Sequence, residues 1–406
     1  MTFAVLSSTA AAESYGFRTK KALTLPALAP YDNKYTNIQW NTEPSESIGV
    51  PVVYEESVLV PSGDTLLRLN EADGTKMAEI KLPQKANTVY SGIMAGNTLI
   101  QPLEKGICTV DFTTGEITSY KELDGAIDSD CAVIEQLAYF SVKSNGSETM
   151  ICADLSDGLS TVWEHTAKAD ITSPALQGEH VIFGAGSTLV THHFKDESFC
   201  EIPVDNEIIS APFASQYAVF FTDNAGNACK LRLNTDGSME EDTFVKCAVG
   251  ASPSAPVAWN SKLYVASETG FHILDSINME ISYTLESFKD GSDPFICYGN
   301  GTRVYSVGEN EGRYELHSIF DEGEDNPPTD KILAIMENYE NGRSAVSSGG
   351  TLYFRDGIGR IYALTRVEYD IVSIVIKLLI MLALIAGVFI WIRMIGKRRA
   401  ANNPRY

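Results

Sequence analysis

The chain has 406 residues and a formal charge of −22, with 53 acidic side chains against 31 basic ones. Six of the basic residues follow residue 370, where no acid occurs, so residues 1–370 hold 25 basic against 53 acidic side chains, a charge of −28. A surface this acidic repels phosphate backbones and anionic lipid, which excludes nucleic acid as a partner.

The first residues, MTFAVLSSTAAAES, are similar to the end of a signal peptide, with a short apolar stretch and small residues at Ala10, Ala11 and Ala12. No basic residue precedes Arg18, so the charged leading region is missing. Residues 1–12 are read as a signal-peptide remnant and 13–36 as an N-terminal extension.

From residue 37 to residue 367 a glycine turn recurs between apolar runs, at Gly63, Gly106, Gly146, Gly186, Gly226, Gly270, Gly312 and Gly359. The intervals are 43, 40, 40, 40, 44, 42 and 47 residues. A period in the forties with strand-type alternation predicts a propeller, one four-stranded blade per repeat. Eight turns predict eight blades and an all-β domain over 37–367.

A second landmark is a strand that opens near Pro51, Ser91, Cys131, Pro174, Pro212, Pro256 and Pro294. The residue eleven before each is Trp40, Ile80, Tyr120, Trp163, Glu201, Val245 and Tyr283, six of them apolar and four aromatic. This offset predicts an outer-strand position that packs a large side chain between neighbouring blades. The last repeat, Ser344 to Val367, has only three strands, and NIQWNT supplies the fourth, with Trp40 in the register of Trp163. The first and last segments would then share a blade and close the ring, removing exposed sheet edges. The acidic stretch FDEGEDNPPTDK, Phe320 to Lys331, fits no EF-hand spacing and reads as a solvated loop.

The hairpins VDFTTGEITSY and ADLSDGLSTVW share Asp, three residues, Gly, four residues and an aromatic. Asp opens such turns through its side chain, and Gly supplies a positive φ. Here the chain resembles the pyrroloquinoline quinone (PQQ)-like propeller repeats, whose unit reads roughly ALDxxTGxxxW. The resemblance covers most of 37–367 and is strongest in blades 2 and 3. It implies either a quinoprotein dehydrogenase or a noncatalytic scaffold of the BamB type.

The dehydrogenases of that family carry an adjacent cysteine pair, and this chain has none. Its seven cysteines, Cys108, Cys131, Cys152, Cys200, Cys229, Cys247 and Cys297, are scattered and read as small buried hydrophobes. His192 and His193 are adjacent on a strand and point to opposite faces, so they cannot clamp one metal. No catalytic residue, cofactor or metal is predicted. The function expected is a protein-binding or assembly scaffold. The alternatives are a quinoprotein-like enzyme or small-molecule receptor using the central channel, and a surface adhesin or glycan-binding module.

At the C-terminus, residues 371–392 (IVSIVIKLLIMLALIAGVFIWI) hold a single charge, Lys377. Such length and hydropathy predict a transmembrane helix flanked by Lys377, Trp391, Arg393, Lys397, Arg398 and Arg399. The basic residues behind it would place the tail, 393–406, in the cytoplasm and the propeller outside a cell membrane crossed once. A linker of about three residues would hold the third-to-fourth-strand hairpins near the bilayer. The eight glycine turns would then face away, offering the docking face for a protein partner.

Overall fold

Short apolar runs such as SVLVPS and TLLRLN, separated by turn-forming Gly, Asp and Asn, favour antiparallel meanders over helices. The computed structural model describes residues 27–28, 37–45, 47–286, 295–299, 301–310, 313–321, 327–336, 346–348, 351–355, 358–365, 379–381, 384–385 and 387–394. They fall into two units, Met1–Arg366 and Val367–Tyr406.

Among the described residues, the first unit is a set of eight sheets built on antiparallel meanders, and blades 1 to 7 take the strands of the meander in sequence order from inner to outer. Blade 1 comprises Val52–Tyr54, Ser57–Ser62, Thr65–Asn70 and Lys76–Lys81. Blades 2 to 7 open with inner strands Ile93–Ala95, Ala132–Ile134, Ala175–Gln177, Phe213–Ala214, Val257–Trp259 and Phe295–Gly299. Blade 8 takes Val346–Ser348, Thr351–Arg355 and Ile361–Thr365 from the end of the repeat and its outer strand, Asn37–Asn41, from the beginning. The inner strand of blade 8 lies against that of blade 1, so the ring is closed.

The N-terminal strand is an outer strand in detail. In blades 1, 2, 3, 6 and 7 the pairing of third and outer strands slips by one residue, and Asn37–Asn41 slips likewise against Ile361–Thr365, between Ile38 and Trp40. In blades 3, 6 and 8 the extra residue, Val162, Ser282 or Gln39, immediately precedes Trp163, Tyr283 or Trp40. A bulge there bends the strand and re-aims the ring. In blade 2 the skipped residue is Thr118, two before Tyr120, which pairs with Cys108. Cys108 packs in the seam with blade 1, whereas Cys152, opposite Trp163, packs in the seam with blade 4. A one-residue slip reverses the face of a strand. Tyr120 is accordingly 39 % exposed, its hydroxyl accepting a hydrogen bond from Gln84 Nε2 at 2.7 Å.

The apolar core is divided among the seams. Seven clusters each join two adjacent blades, from blades 8 and 1 round to blades 6 and 7. Trp40 shows how a seam closes. Its indole packs against Tyr353, donates Nε1–H to the Glu71 carbonyl at 2.9 Å, and lies over Gly74 in the hairpin of blade 1. Gly74 has φ +70°, and a Cβ there would stand 2.7 Å from the indole. Where the preceding outer strand offers only Val245, the hairpin position equivalent to Gly74 holds Met279, buried between blades 5 and 6. A polar link also recurs. The hydroxyls of Ser129, Thr172 and Ser210 accept the N–H of Ser141, Gly184 and Thr222, each twelve residues on, at 2.7, 2.8 and 2.9 Å. These links tie the entry of blades 3, 4 and 5 to their second strands.

The seam of blades 3 and 4 is aromatic. Trp163 stacks on His192 with ring centroids 4.0 Å apart, and His192 Nδ1 meets the Tyr139 hydroxyl at 3.1 Å. His192 Nε2 is buried with no hydrogen-bond partner. Burial, assisted by His193, holds the His192 imidazole down to about 4. His193 points the other way, to Asp196 at 2.8 Å and Glu179 at 3.1 Å. Cys108, Cys131, Cys152, Cys200, Cys229 and Cys247 are free, and burial pushes the Cys108 thiol up to about 12 and Cys152 to about 11.

The second unit corrects one expectation. Its described helical residues are 379–381, 384–385 and 387–394. Among the described residues, no helix is long and apolar enough to cross a membrane. The transmembrane helix expected over 371–392, and the single-pass anchoring drawn from it, therefore do not stand. Hydropathy prompted that expectation, and among the described residues no helix of the required length is found. Trp391 and Arg393 lie on 387–394 and are exposed, while Lys377, Lys397, Arg398 and Arg399 lie outside the described residues. So do residues 1–12 and, of 13–36, all but Ala27–Leu28, which pairs in parallel with Cys297 and Tyr298.

Two outcomes are expected. Trp40→Ala destabilises the propeller by about 3–5 kcal/mol in denaturant titration. Gly74→Ala is costly with Trp40 present and markedly less so in the Trp40→Ala background, since only the positive-φ strain then remains; additivity of the two would show that they do not meet. The unfolded chain protonates His192 near pH 6.5 and the folded chain near 4. Its contribution to stability is therefore whole above pH 6.5 and falls as the pH drops through that interval, by up to about 3 kcal/mol. His192→Phe keeps the stacked ring and flattens the fall in melting temperature between pH 7 and pH 4.

Candidate interaction groove

Blades 1, 2, 3, 4 and 6 join their third and outer strands through five residues, for example 155–159 in blade 3. Blade 5 uses thirteen, 232–244, between Asn227–Leu231 and an outer strand of only four residues, Val245–Ala248. The pairing ends at Lys230 opposite Val245. The extra chain turns back on itself through a bridge between Leu233 and Met239. Beyond Lys230 the third strand has no outer neighbour in the ladder, and the seam with blade 6 opens into a groove of roughly 560 Å³.

Its floor and walls include Phe220, Lys230 and Arg232 from blade 5 and Trp259 from blade 6. At the rim stand Tyr217, 72 % exposed, and Ile277, 69 % exposed. Tyr217 lies in the turn between the inner and second strands of blade 5, and Ile277 in the hairpin between the third and outer strands of blade 6. The groove therefore opens at the end of the propeller that carries those turns. Lys230 Nζ donates to the Ile277 carbonyl at 2.6 Å, and burial lowers the pKa of its ammonium from the usual lysine value. Arg232 Nε meets Glu240 at 3.1 Å, with both side chains about half exposed. No acidic side chain lines the groove among the described residues. Two cations over an apolar floor can hold a carboxylate-bearing, partly apolar ligand.

A second groove, of roughly 650 Å³, follows the seam of blades 1 and 2. Its origin is Ile80, which stands where Trp40 and Trp163 stand in blades 8 and 3 and is too small to fill the space. Arg68 covers part of it, its guanidinium 3.9 Å from the centre of the Phe112 ring. The lining here mixes Arg68 and Lys81 with Glu79 and Glu116, so it presents no single charge.

The glycines lie elsewhere. Gly63, Gly106, Gly146, Gly186, Gly226, Gly270 and Gly359 sit at the turns between second and third strands, at the opposite end of the blades, and Gly312 lies outside the described residues. None lines either groove. Trp40, Trp163 and Tyr283 pack in seam clusters and Tyr120 does not. Tyr217, Lys230, Arg232 and Ile277 had no place in the sequence reading. The signal that could have found them is the thirteen-residue connection, visible as the 44-residue interval after Gly226. Among the described residues, no three His, Cys, Asp or Glu side chains gather closely enough to hold a metal ion.

No protein-family profile matches the chain, and no curated protein matches it. Among solved structures it is similar to BamB from Moraxella catarrhalis, with a TM-score of 0.63 and 12 % identity over 81 % of this chain and 99 % of that one. It is similar to the quinohemoprotein alcohol dehydrogenase from Comamonas testosteroni, with a TM-score of 0.61 and 9 % identity over 86 % and 80 % of the two chains. The computationally designed Ika8 protein matches with a TM-score of 0.58 and 12 % identity over 80 % and 98 %. At these identities the likeness is one of fold alone. An alcohol dehydrogenase is among the neighbours, so the fold does not decide whether this chain is an enzyme. The chain thus folds as a propeller similar to those of BamB and the quinohemoprotein alcohol dehydrogenases.

Proposed function

We propose that this chain is a binding platform for a protein partner, and that its working surface is the end of the propeller bearing the third-to-outer-strand hairpins. The observation that carries the reading is the groove between blades 5 and 6, rimmed by the exposed side chains of Tyr217 and Ile277. Large apolar side chains left exposed to water beside polar groups mark surfaces that partners cover, and such side chains serve as interface anchors. The BamB-like fold supports a platform in general terms. The choice of this end over the glycine-turn end rests on its surface chemistry.

A photoreactive phenylalanine analogue placed at Tyr217 or Ile277, and as controls at Asn145 or Ser187 in the glycine turns, tests the choice of end in native extracts. Discrete protein adducts are expected from positions 217 and 277. Adducts from 145 and 187 alone, or from none of the four, would overturn the reading.

A further inference from the structure

We infer that the groove between blades 5 and 6 receives an acidic peptide segment bearing an aromatic or branched aliphatic side chain. The inference rests on the reading of this groove as a docking site and adds the chemistry of its occupant.

The first argument is charge. Residues 1–370 carry −28, yet among the described residues the groove is lined by two cations, Lys230 and Arg232, and no acid. An acidic segment is repelled by most of the surface and finds local attraction here, so the same field that disfavours other sites gives this one its selectivity. A basic segment would suffer the reverse, because it would bring its own cations against Lys230 and Arg232.

The second argument is the setting of the cations. Lys230 is partly buried, and its ammonium donates to a carbonyl, that of Ile277. An ammonium whose acceptor is neutral retains its full charge for an incoming anion. Arg232 is engaged by Glu240 through Nε at a half-exposed position. A guanidinium presents five donors in a planar fork, so one such contact leaves its geometry suited to a second carboxylate.

The third argument is shape. Phe220, Ala218 and Ala258 form apolar lining, with Trp259 beside them, and Tyr217 and Ile277 flank the mouth. A volume of roughly 560 Å³ is that of a site for a few side chains rather than for a folded domain. One apolar residue seated on this floor with carboxylates on either side would match both the apolar lining and the two cations.

The test is selection of a random nonapeptide display library on the full chain, with Lys230→Glu/Arg232→Glu as a counter-target whose fold is checked by circular dichroism. Enriched sequences are expected to hold two or more Asp or Glu around a Phe, Tyr, Leu or Ile. A fluorescein-labelled copy of the most enriched peptide should lose at least tenfold in affinity on the charge-reversed protein, lose affinity on Tyr217→Ala, and weaken between 50 and 200 mM salt. Neutral or basic consensus sequences, or acidic ones that bind the charge-reversed protein equally, would overturn the inference while leaving the platform reading intact. A library in which nothing enriches on the unaltered chain would overturn both.

Discussion

The pairing of Asn37–Asn41 with Ile361–Thr365 is the constraint on which the rest of the molecule depends. Closing a loop of about 320 residues costs on the order of 5 kcal/mol in chain entropy beyond a constant. No single rung of a sheet offsets that. Closure becomes favourable because the strand arrives with its own seam contact, Trp40 on Gly74 and Tyr353, and because Ile361 N–H donates to Thr42 Oγ1 at 3.0 Å as the chain leaves the ladder. Once made, it gives blade 8 its fourth strand, and the outer edge of the third strand is covered.

With closure comes size matching between blades. In the seams before blades 1 and 6, a large outer-strand side chain goes with a small hairpin residue and a small one with a large hairpin residue. Trp40 meets a glycine, while the small Val245 is accompanied by a buried methionine. Two grooves mark departures from the regular seam. Between blades 1 and 2 the outer residue is Ile80 and the hairpin is glycine. Between blades 5 and 6 the outer strand itself is short. A binding surface thus emerges from the repeat by local departure, without any new element of structure. The departure also concentrates charge, since it exposes Lys230 and Arg232 on an otherwise acidic body.

The repeat itself was legible because its physical cause is local. A glycine or Asx turn every forty or so residues needs no knowledge of the neighbours, and the order of strands follows from short connections. Closure was legible too, from one tryptophan in register. What sequence could not convey was which way a side chain faces after a bulge. Tyr120 shares its offset with Trp163 and lands on the other face, because the slip in blade 2 falls one residue earlier. Asp321 was read as part of a solvated acidic loop. It is buried, holding Lys262 Nζ at 2.8 and 2.9 Å and the Tyr264 hydroxyl at 3.0 Å. Charge in a sequence does not reveal a partner nearly sixty residues away. Hydropathy over 371–392 raised the expectation of a membrane-crossing helix, which the described residues do not meet.

Hydrogen exchange measured by mass spectrometry on the intact chain addresses closure most directly. If Asn37–Asn41 is the outer strand of blade 8, its amides bonded to Ile361–Thr365 exchange as slowly as those of the outer strand Ser160–Ala167 in blade 3, and Trp40→Ala speeds exchange in both halves of the pairing together. Exchange of residues 37–41 at the rate of a free peptide, with 361–365 still protected, would contradict it.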